Sequence, residues 1–249
     1  MGFKGVFFDL YGTLIIYGDM VRAWEDWMSA IHECLIKYGF DDSKDFLSNK
    51  MNGFFERPLL KRDIELTIYE NRIQNLTSEL GLTLNKEEIN ETCLSGLHAW
   101  HEYVCLDPDA IPVLKILKKT RKIALISNFD YPPHVYSLLS DLGLKHCFES
   151  IVISGEIGIK KPDPRIFLHA LNDTGLKPEE VVFVGDSPED VQGAHAAAVY
   201  PILIQRKKNG GKVISDYNTE FLYVEENREN KLFRDVTKIS RLTNLIELV

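Results

Sequence analysis

Four short segments of this 249-residue chain carry residue types from which a reacting site can be built. The first is Asp9-Leu10-Tyr11-Gly12-Thr13-Leu14, where a carboxylate leaves an apolar run and enters a Gly-Thr turn. The second is Ser127-Asn128, and the third is Lys160-Lys161-Pro162-Asp163-Pro164. The fourth is Gly185-Asp186-Ser187-Pro188-Glu189-Asp190. A carboxylate such as Asp9 can attack an electrophile and form a covalent intermediate, dividing one hard displacement into two easier ones. Ser127 and Asn128 can donate hydrogen bonds to oxygens of a bound group. Lys161 supplies a positive charge that orients a nucleophile and balances charge in the transition state. Asp186 and Asp190 lie one helical turn apart, and hard oxygen ligands of this kind suit Mg²⁺.

Taken singly, each segment has a plainer alternative: a turn former, a helix cap, a solvated loop lysine. Their shared position ties them together. Residues 3–9, 122–127, 150–154, 181–185 and 201–205 are short apolar runs, read as strands buried on both faces of a parallel sheet. The four segments fall at the C-terminal ends of such strands or in loops facing them. In open α/β sheets ligands bind in the crevice beyond those ends.

Amphipathic helical patterns at 110–120, 132–142, 165–174 and 189–199 separate the later runs, as Ile111, Leu114 and Leu117 illustrate. Strand–helix alternation with short links predicts right-handed crossovers and an α/β, doubly wound, Rossmann-like parallel sheet. Residues 15–105 differ. They offer helices over 19–38, 57–80 and 86–104, the last with Asn85 as N-cap, and no convincing strand. The expected organisation is a core made of residues 1–14 and 106–249, with 15–105 inserted as a helical-bundle cap domain. Beyond Arg206 the sequence reads as a basic, Gly-containing loop at 207–212, a polar stretch at 213–234 and a closing helix at 236–249.

A net charge of −8 argues against general binding to nucleic acid or anionic membranes. No apolar run approaches the ~20 residues that span a bilayer. The start of the chain runs directly into the first strand with no signal-like segment. Cys34, Cys93, Cys105 and Cys147 are scattered without CxxC pairing, which reads as isolated buried thiols in a reducing, cytoplasmic setting.

The four segments, in this order, resemble the four sequence motifs of the haloacid dehalogenase-like (HAD) hydrolase superfamily. The likeness extends over the whole chain apart from 206–235. The helical insertion between the first and second motifs is similar to that superfamily's helical caps. The phrase Ile153-Ser154-Gly155-Glu156-Ile157-Gly158, leading to Lys161-Pro162-Asp163-Pro164, resembles the subfamily of 2-haloacid dehalogenases and many small-molecule phosphatases. The resemblance implies that Asp9 is the nucleophile, in a catalytic set with Tyr11, Thr13 and Lys161. It implies Mg²⁺ held by Asp9, Asp186 and the backbone carbonyl of Tyr11, with Asp190 bound directly or through water. Ser127, Asn128 and Lys161 would grip the substrate, and Arg22, close to the first motif, is a candidate anion clamp.

Two motifs point to different reactions. In the superfamily's phosphatases the position two after the nucleophile is usually a second Asp that protonates the leaving group. Here it is Tyr11, and the Asp-x-Tyr-Gly-Thr-Leu spelling is similar to that of the 2-haloacid dehalogenases, which expel halide without a metal. Asp186 argues the other way, since dehalogenases of that type usually carry a small polar residue there. Three carboxylates beside one lysine raise one another's pKa values or demand a cation. Without metal they would repel a haloacid's own carboxylate. The expectation is therefore a Mg²⁺-dependent phosphatase working on a small phosphate ester through an Asp9 aspartyl-phosphate. A 2-haloacid dehalogenase-type hydrolase, or a weakly active HAD-fold binding protein, is the alternative. The expected partner is a small phosphorylated or halogenated acid, with no nucleic acid and no membrane.

Overall fold

The computed structural model describes residues 2–59, 61–207, 213–214, 233 and 235–249. The chain divides into two compact units, Met1–Tyr17 with Cys105–Val249, and Gly18–Val104. The first is built on strands β1 (Gly5–Phe8), β2 (Ile15–Tyr17), β3 (Val104–Leu106), β4 (Lys122–Ser127), β5 (Ser150–Ile153), β6 (Val181–Gly185), β7 (Tyr200–Ile204), β8 (Arg206–Lys207), β9 (Val213–Ile214) and β10 (Thr237–Ile239). Six of them form one sheet in the order β10-β7-β6-β1-β4-β5. All five pairings in it are parallel.

The inner strands read Gly-Val-Phe-Phe and Val-Val-Phe-Val-Gly, buried along their whole length. Such runs fit only where helices cover both faces of a sheet. On one face Phe7, Ile126, Phe183, Ile166 and Phe167 share a core, with Phe167 edge-on to Phe183 at 4.9 Å. From β1 the chain adds β4 and β5 on one side, then returns to place β6 on the other. The strand order therefore reverses at β1, and the C-terminal ends of β1 and β6 flank the switch point at which open α/β sheets bind ligands. Asp9 and Asp186 each follow directly on one of these two strands.

The Gly18–Val104 unit contains helices α1 (Met20–Lys37), α2 (Lys44–Lys50), α3 (Ile68–Glu79) and α4 (Lys86–His101). Asp19 and Ser43 cap α1 and α2, while Thr67 and Asn85 form reciprocal capping boxes with Glu70 and Glu88. Trp27 donates to the Tyr69 hydroxyl at 2.9 Å and stacks on Trp24 at 4.7 Å. No helix among the described residues is long and apolar enough to cross a membrane.

Several elements depart from the sequence reading. The helix expected over 57–80 begins only at Ile68, because Asn71 holds residues 63–67 in a turn and Thr67 then caps the helix. The helix expected over 86–104 stops at His101, and β3 follows. Residues 15–105 do contain strand, since β2 and β3 pair with each other at its two ends. The closing helix expected over 236–249 is a strand, a 3₁₀ turn and a short helix, with β10 pairing to β7. Cys105 is exposed rather than buried, while Cys34, Cys93 and Cys147 are buried and all four are free. Most of the loop and polar stretch expected over 207–234 lies outside the described residues.

Candidate active site

Asp9 sits at the end of β1, its backbone N–H tied to the Val184 carbonyl of β6 at 2.9 Å. Lys161 reaches it from the loop before Arg165–Thr174. Its Nζ donates to Asp9 Oδ1 at 2.6 Å, pairs with Asp190 Oδ1 at 2.7 Å and donates to the Ile126 carbonyl at 3.0 Å. The ammonium also lies 5.3 Å from the centre of the Phe183 ring. The side chains of Lys161, Asp9 and Asp190 are only 2%, 8% and 2% exposed, so these are desolvated ion pairs and not screened surface contacts.

Asn128 fixes the backbone that carries Lys161. Its amide donates to the Lys161 carbonyl at 3.0 Å, and its carbonyl accepts from the Lys161 N–H at 2.9 Å. Asp190 is fixed in turn by the start of its own helix, Pro188–Ala196. Its Oδ2 accepts from the N–H groups of Asp186 and Ser187 at 3.1 and 3.0 Å, and its N–H donates to Ser187 Oγ. A Cβ on Gly185 would overlap the Asp190 carboxylate, so only glycine allows this close approach.

The opposite wall is the turn after Asp9. Gly12 has φ +86°, and a Cβ there would fall on the Asp186 carboxylate. Asp186 is buried against that bare backbone. Tyr11 is buried with its ring stacked on Phe129 at 5.0 Å. The Thr13 hydroxyl is buried with no hydrogen-bond partner among the described residues. Ser127, buried, ends β4. Carboxylate oxygens of Asp9, Asp186 and Asp190 come within 4.8 Å of one another.

Burial raises the Asp9 carboxyl from 3.8 to about 7, with the Asp190 charge adding to the rise and Lys161 opposing it. Burial alone would lower the Lys161 ammonium, but the charges of Asp190 and Asp9 outweigh it and hold the group above its ordinary range. Burial, and then the Asp9 charge, push the Tyr11 phenol above its ordinary range.

The structure thus brings Asp9, Tyr11, Thr13, Ser127, Asn128, Lys161, Asp186 and Asp190 to one edge of the sheet. Arg22 belongs to the other unit, where it is exposed and lies 3.7 Å from Asp19. Sequence reasoning missed Arg206 and Asp107. The Arg206 guanidinium binds Asp107 Oδ2 through Nε at 3.0 Å and Nη2 at 2.6 Å, and donates to the carbonyls of Gly12 and Thr13. One signal could have found it: Arg206 ends the apolar run 201–205, as Asp9, Ser127 and Asp186 follow theirs.

An all-parallel sheet with an acidic cluster and one buried lysine at its switch point defines a class of α/β enzyme fold. A family model described as haloacid dehalogenase-like hydrolase matches residues 3–198, and the chain belongs to that family. It is 39% identical to the glyceraldehyde 3-phosphate phosphatase of Methanopyrus kandleri over 103 residues, 41% of this chain and 44% of that protein, so the match spans less than half of that relative. Phosphoglycolate phosphatase 1 of Pseudomonas aeruginosa is 30% identical over 212 residues, 85% of this chain and 72% of that one. The 2-haloacid dehalogenase of Pseudomonas syringae pv. Tomato superposes with a TM-score of 0.66 at 24% identity, covering 99% of this chain and 97% of that one, a likeness of fold.

Proposed function

We propose that this protein is a divalent-metal-dependent phosphatase that hydrolyses a small phosphate ester through attack by Asp9. The carrying observation is the gathering of three buried carboxylates, within 4.8 Å of one another, around one lysine. Three negative charges against one positive leave a surplus of two, which burial makes costly unless a proton on Asp9 or a bound cation offsets it. The donor set fits Mg²⁺: hard carboxylate oxygens, beside a glycine turn that lets Asp186 approach. Asp9, Asp186 and the Tyr11 carbonyl would hold the ion. When bound, it supplies positive charge to the carboxylates and to the phosphate oxygens. Asp190 already has Oδ2 on two N–H groups and Oδ1 on Lys161, so its part is to fix Lys161 and the turn around Asp186.

Lys161 orients the attacking oxygen of Asp9. That oxygen bonds to phosphorus, and the bond from phosphorus to the leaving oxygen breaks with its electron pair on the leaving group. Water then attacks phosphorus and gives a proton to solvent. The bond to Asp9 breaks, returning the carboxylate and releasing inorganic phosphate. Ser127 would donate to the phosphate oxygens, whereas Asn128 holds the Lys161 backbone.

Tyr11 shapes the substrate range. Its phenol, raised by burial and by Asp9, is a weak acid and a poor base near neutrality. Phosphates with good leaving groups, which depart without a proton, are therefore the favoured substrates. A series of aryl and alkyl phosphates is expected to show turnover falling steeply as leaving-group pKa rises, and a flat series overturns this point. The function itself is tested with p-nitrophenyl phosphate. Hydrolysis is expected to need Mg²⁺, to stop in EDTA and to be absent in Asp9→Asn.

Tyr11 also sustains a second reading, haloacid dehalogenation, because halide needs no proton to leave. Chloride release from 2-chloropropionate that persists in EDTA would establish it in place of the phosphatase.

A further inference from the structure

We propose that Arg206 is a positioning residue for the turn that follows Asp9, acting on the site through backbone carbonyls. This rests on the reading of that turn as part of a phosphatase site. The Arg206 side chain is 14% exposed and its partner Asp107 8%. The guanidinium presents a planar fork of N–H donors. Two of its nitrogens bind Asp107 Oδ2, and its terminal nitrogens also reach the carbonyls of Gly12 and Thr13. Asp107 adds the next contact, its N–H donating to the Leu14 carbonyl at 2.9 Å. Three consecutive carbonyls, 12 to 14, are therefore held by one ion pair.

Asp107 is itself anchored, with Oδ1 accepting from the Asp109 N–H at 2.8 Å. Gly12 and Thr13 are buried, so carbonyls released from Arg206 would have no ready supply of water. Gly12 also has its Cα face pressed on the Asp186 carboxylate. Holding the Gly12 carbonyl sets how far the turn leans on Asp186, and so the spacing between Asp186 and Asp9. The pair carries no net charge. Its effect on the site is therefore geometric, and a lysine, which offers a point charge without the fork, cannot reproduce it.

The test uses the full chain with Arg206→Lys, Arg206→Met and, as a control, Arg241→Gln, which removes a neighbouring exposed pair with Asp109. Three readouts are taken: hydrogen exchange of the 10–15 segment without metal, calorimetric Mg²⁺ affinity without substrate, and kcat and KM on p-nitrophenyl phosphate. Both Arg206 variants are expected to exchange faster in that segment but not in β6. Mg²⁺ affinity and kcat should each fall about tenfold, as for other groups that orient metal ligands, while KM moves less than about threefold. Arg241→Gln should match the wild type throughout. Should Arg206→Met not fold, Arg206→Lys decides alone.

Wild-type exchange in the segment overturns the proposal, and so does faster exchange with unchanged Mg²⁺ affinity and kcat in an active enzyme. If the wild type neither binds Mg²⁺ nor hydrolyses the ester, yet the segment still loosens in the variants, the phosphatase reading fails and the positioning role stands.

Discussion

Among the described residues, the buried polar side chains of the Gly18–Val104 unit are Asn71, Thr77 and Thr92, all uncharged, whereas the sheet-bearing unit buries the charged Asp9, Asp107, Lys161, Asp186 and Asp190 beside neutral serines and threonines. Asn71 shows what neutral burial achieves. It donates to the carbonyls of Asp63, Leu66 and Thr67 and accepts from the Asp63 N–H, so one amide organises a turn a few residues away. The charged group is assembled from residues 9, 161, 186 and 190, far apart in the chain. Burying such charges is a poor route to stability, since apolar residues of like volume often serve as well or better. Under the proposed function, the neutral set serves structure and the charged set serves the chemistry.

The difference can be broken from either side. Asp9→Asn should lower turnover on p-nitrophenyl phosphate by about 10⁴-fold or more, as removal of a nucleophile does, while the circular dichroism spectrum stays native. Turnover within tenfold of wild type would erase the distinction. Asn71→Ala should do the reverse. It strips several backbone groups of their partner, and is expected to cost about 2 kcal/mol and to lower Tm by roughly 5 °C. Its kcat per folded molecule should stay within about twofold, and a larger loss would put Asn71 in the chemistry.

An effect that appears only with pH sharpens the point. Asp9 titrates near 7 in the folded chain against 3.8 ordinarily, so the native state keeps a proton that the unfolded chain releases. The stability this contributes is present below about pH 4 and is lost as pH rises towards 7. Asp9→Asn removes that loss. In EDTA its Tm should gain on wild type as pH rises from about 4.5, the gain widening up to about pH 7 and levelling off above it. A gain that shrinks with pH would mean Asp9 is not strained by burial.

Much of this was legible beforehand for a physical reason. A strand buried on both faces has no polar residue to interrupt it, so β1, β4, β5, β6 and β7 stand out, and a polar residue at such an end is conspicuous. The sixth strand of the sheet, β10, is hidden because Val236, Ile239, Leu242 and Leu245 recur every third residue and mimic a helix face. Pairing with β7 outweighs that pattern. The start of α3 was written in Thr67 and Glu70, but a longer apolar periodicity masked it. Arg206 is hardest to read because two of its partners are main-chain carbonyls. Any residue supplies a carbonyl, so nothing in the side chains of Gly12 or Thr13 announces the contact.

The place of β1 between β4 and β6 sets the order of events during synthesis. Gly5–Phe8 cannot meet either neighbour until residues 122–127 and 181–185 have emerged, and such distant pairings slow a chain's search for its native state. The helices of Gly18–Val104 find their packing partners within that stretch, so they are expected to consolidate before the sheet does. Until the second half arrives, Gly5–Phe8 is an apolar strand with both edges unpaired, the stretch of a nascent chain that a chaperone would be expected to hold.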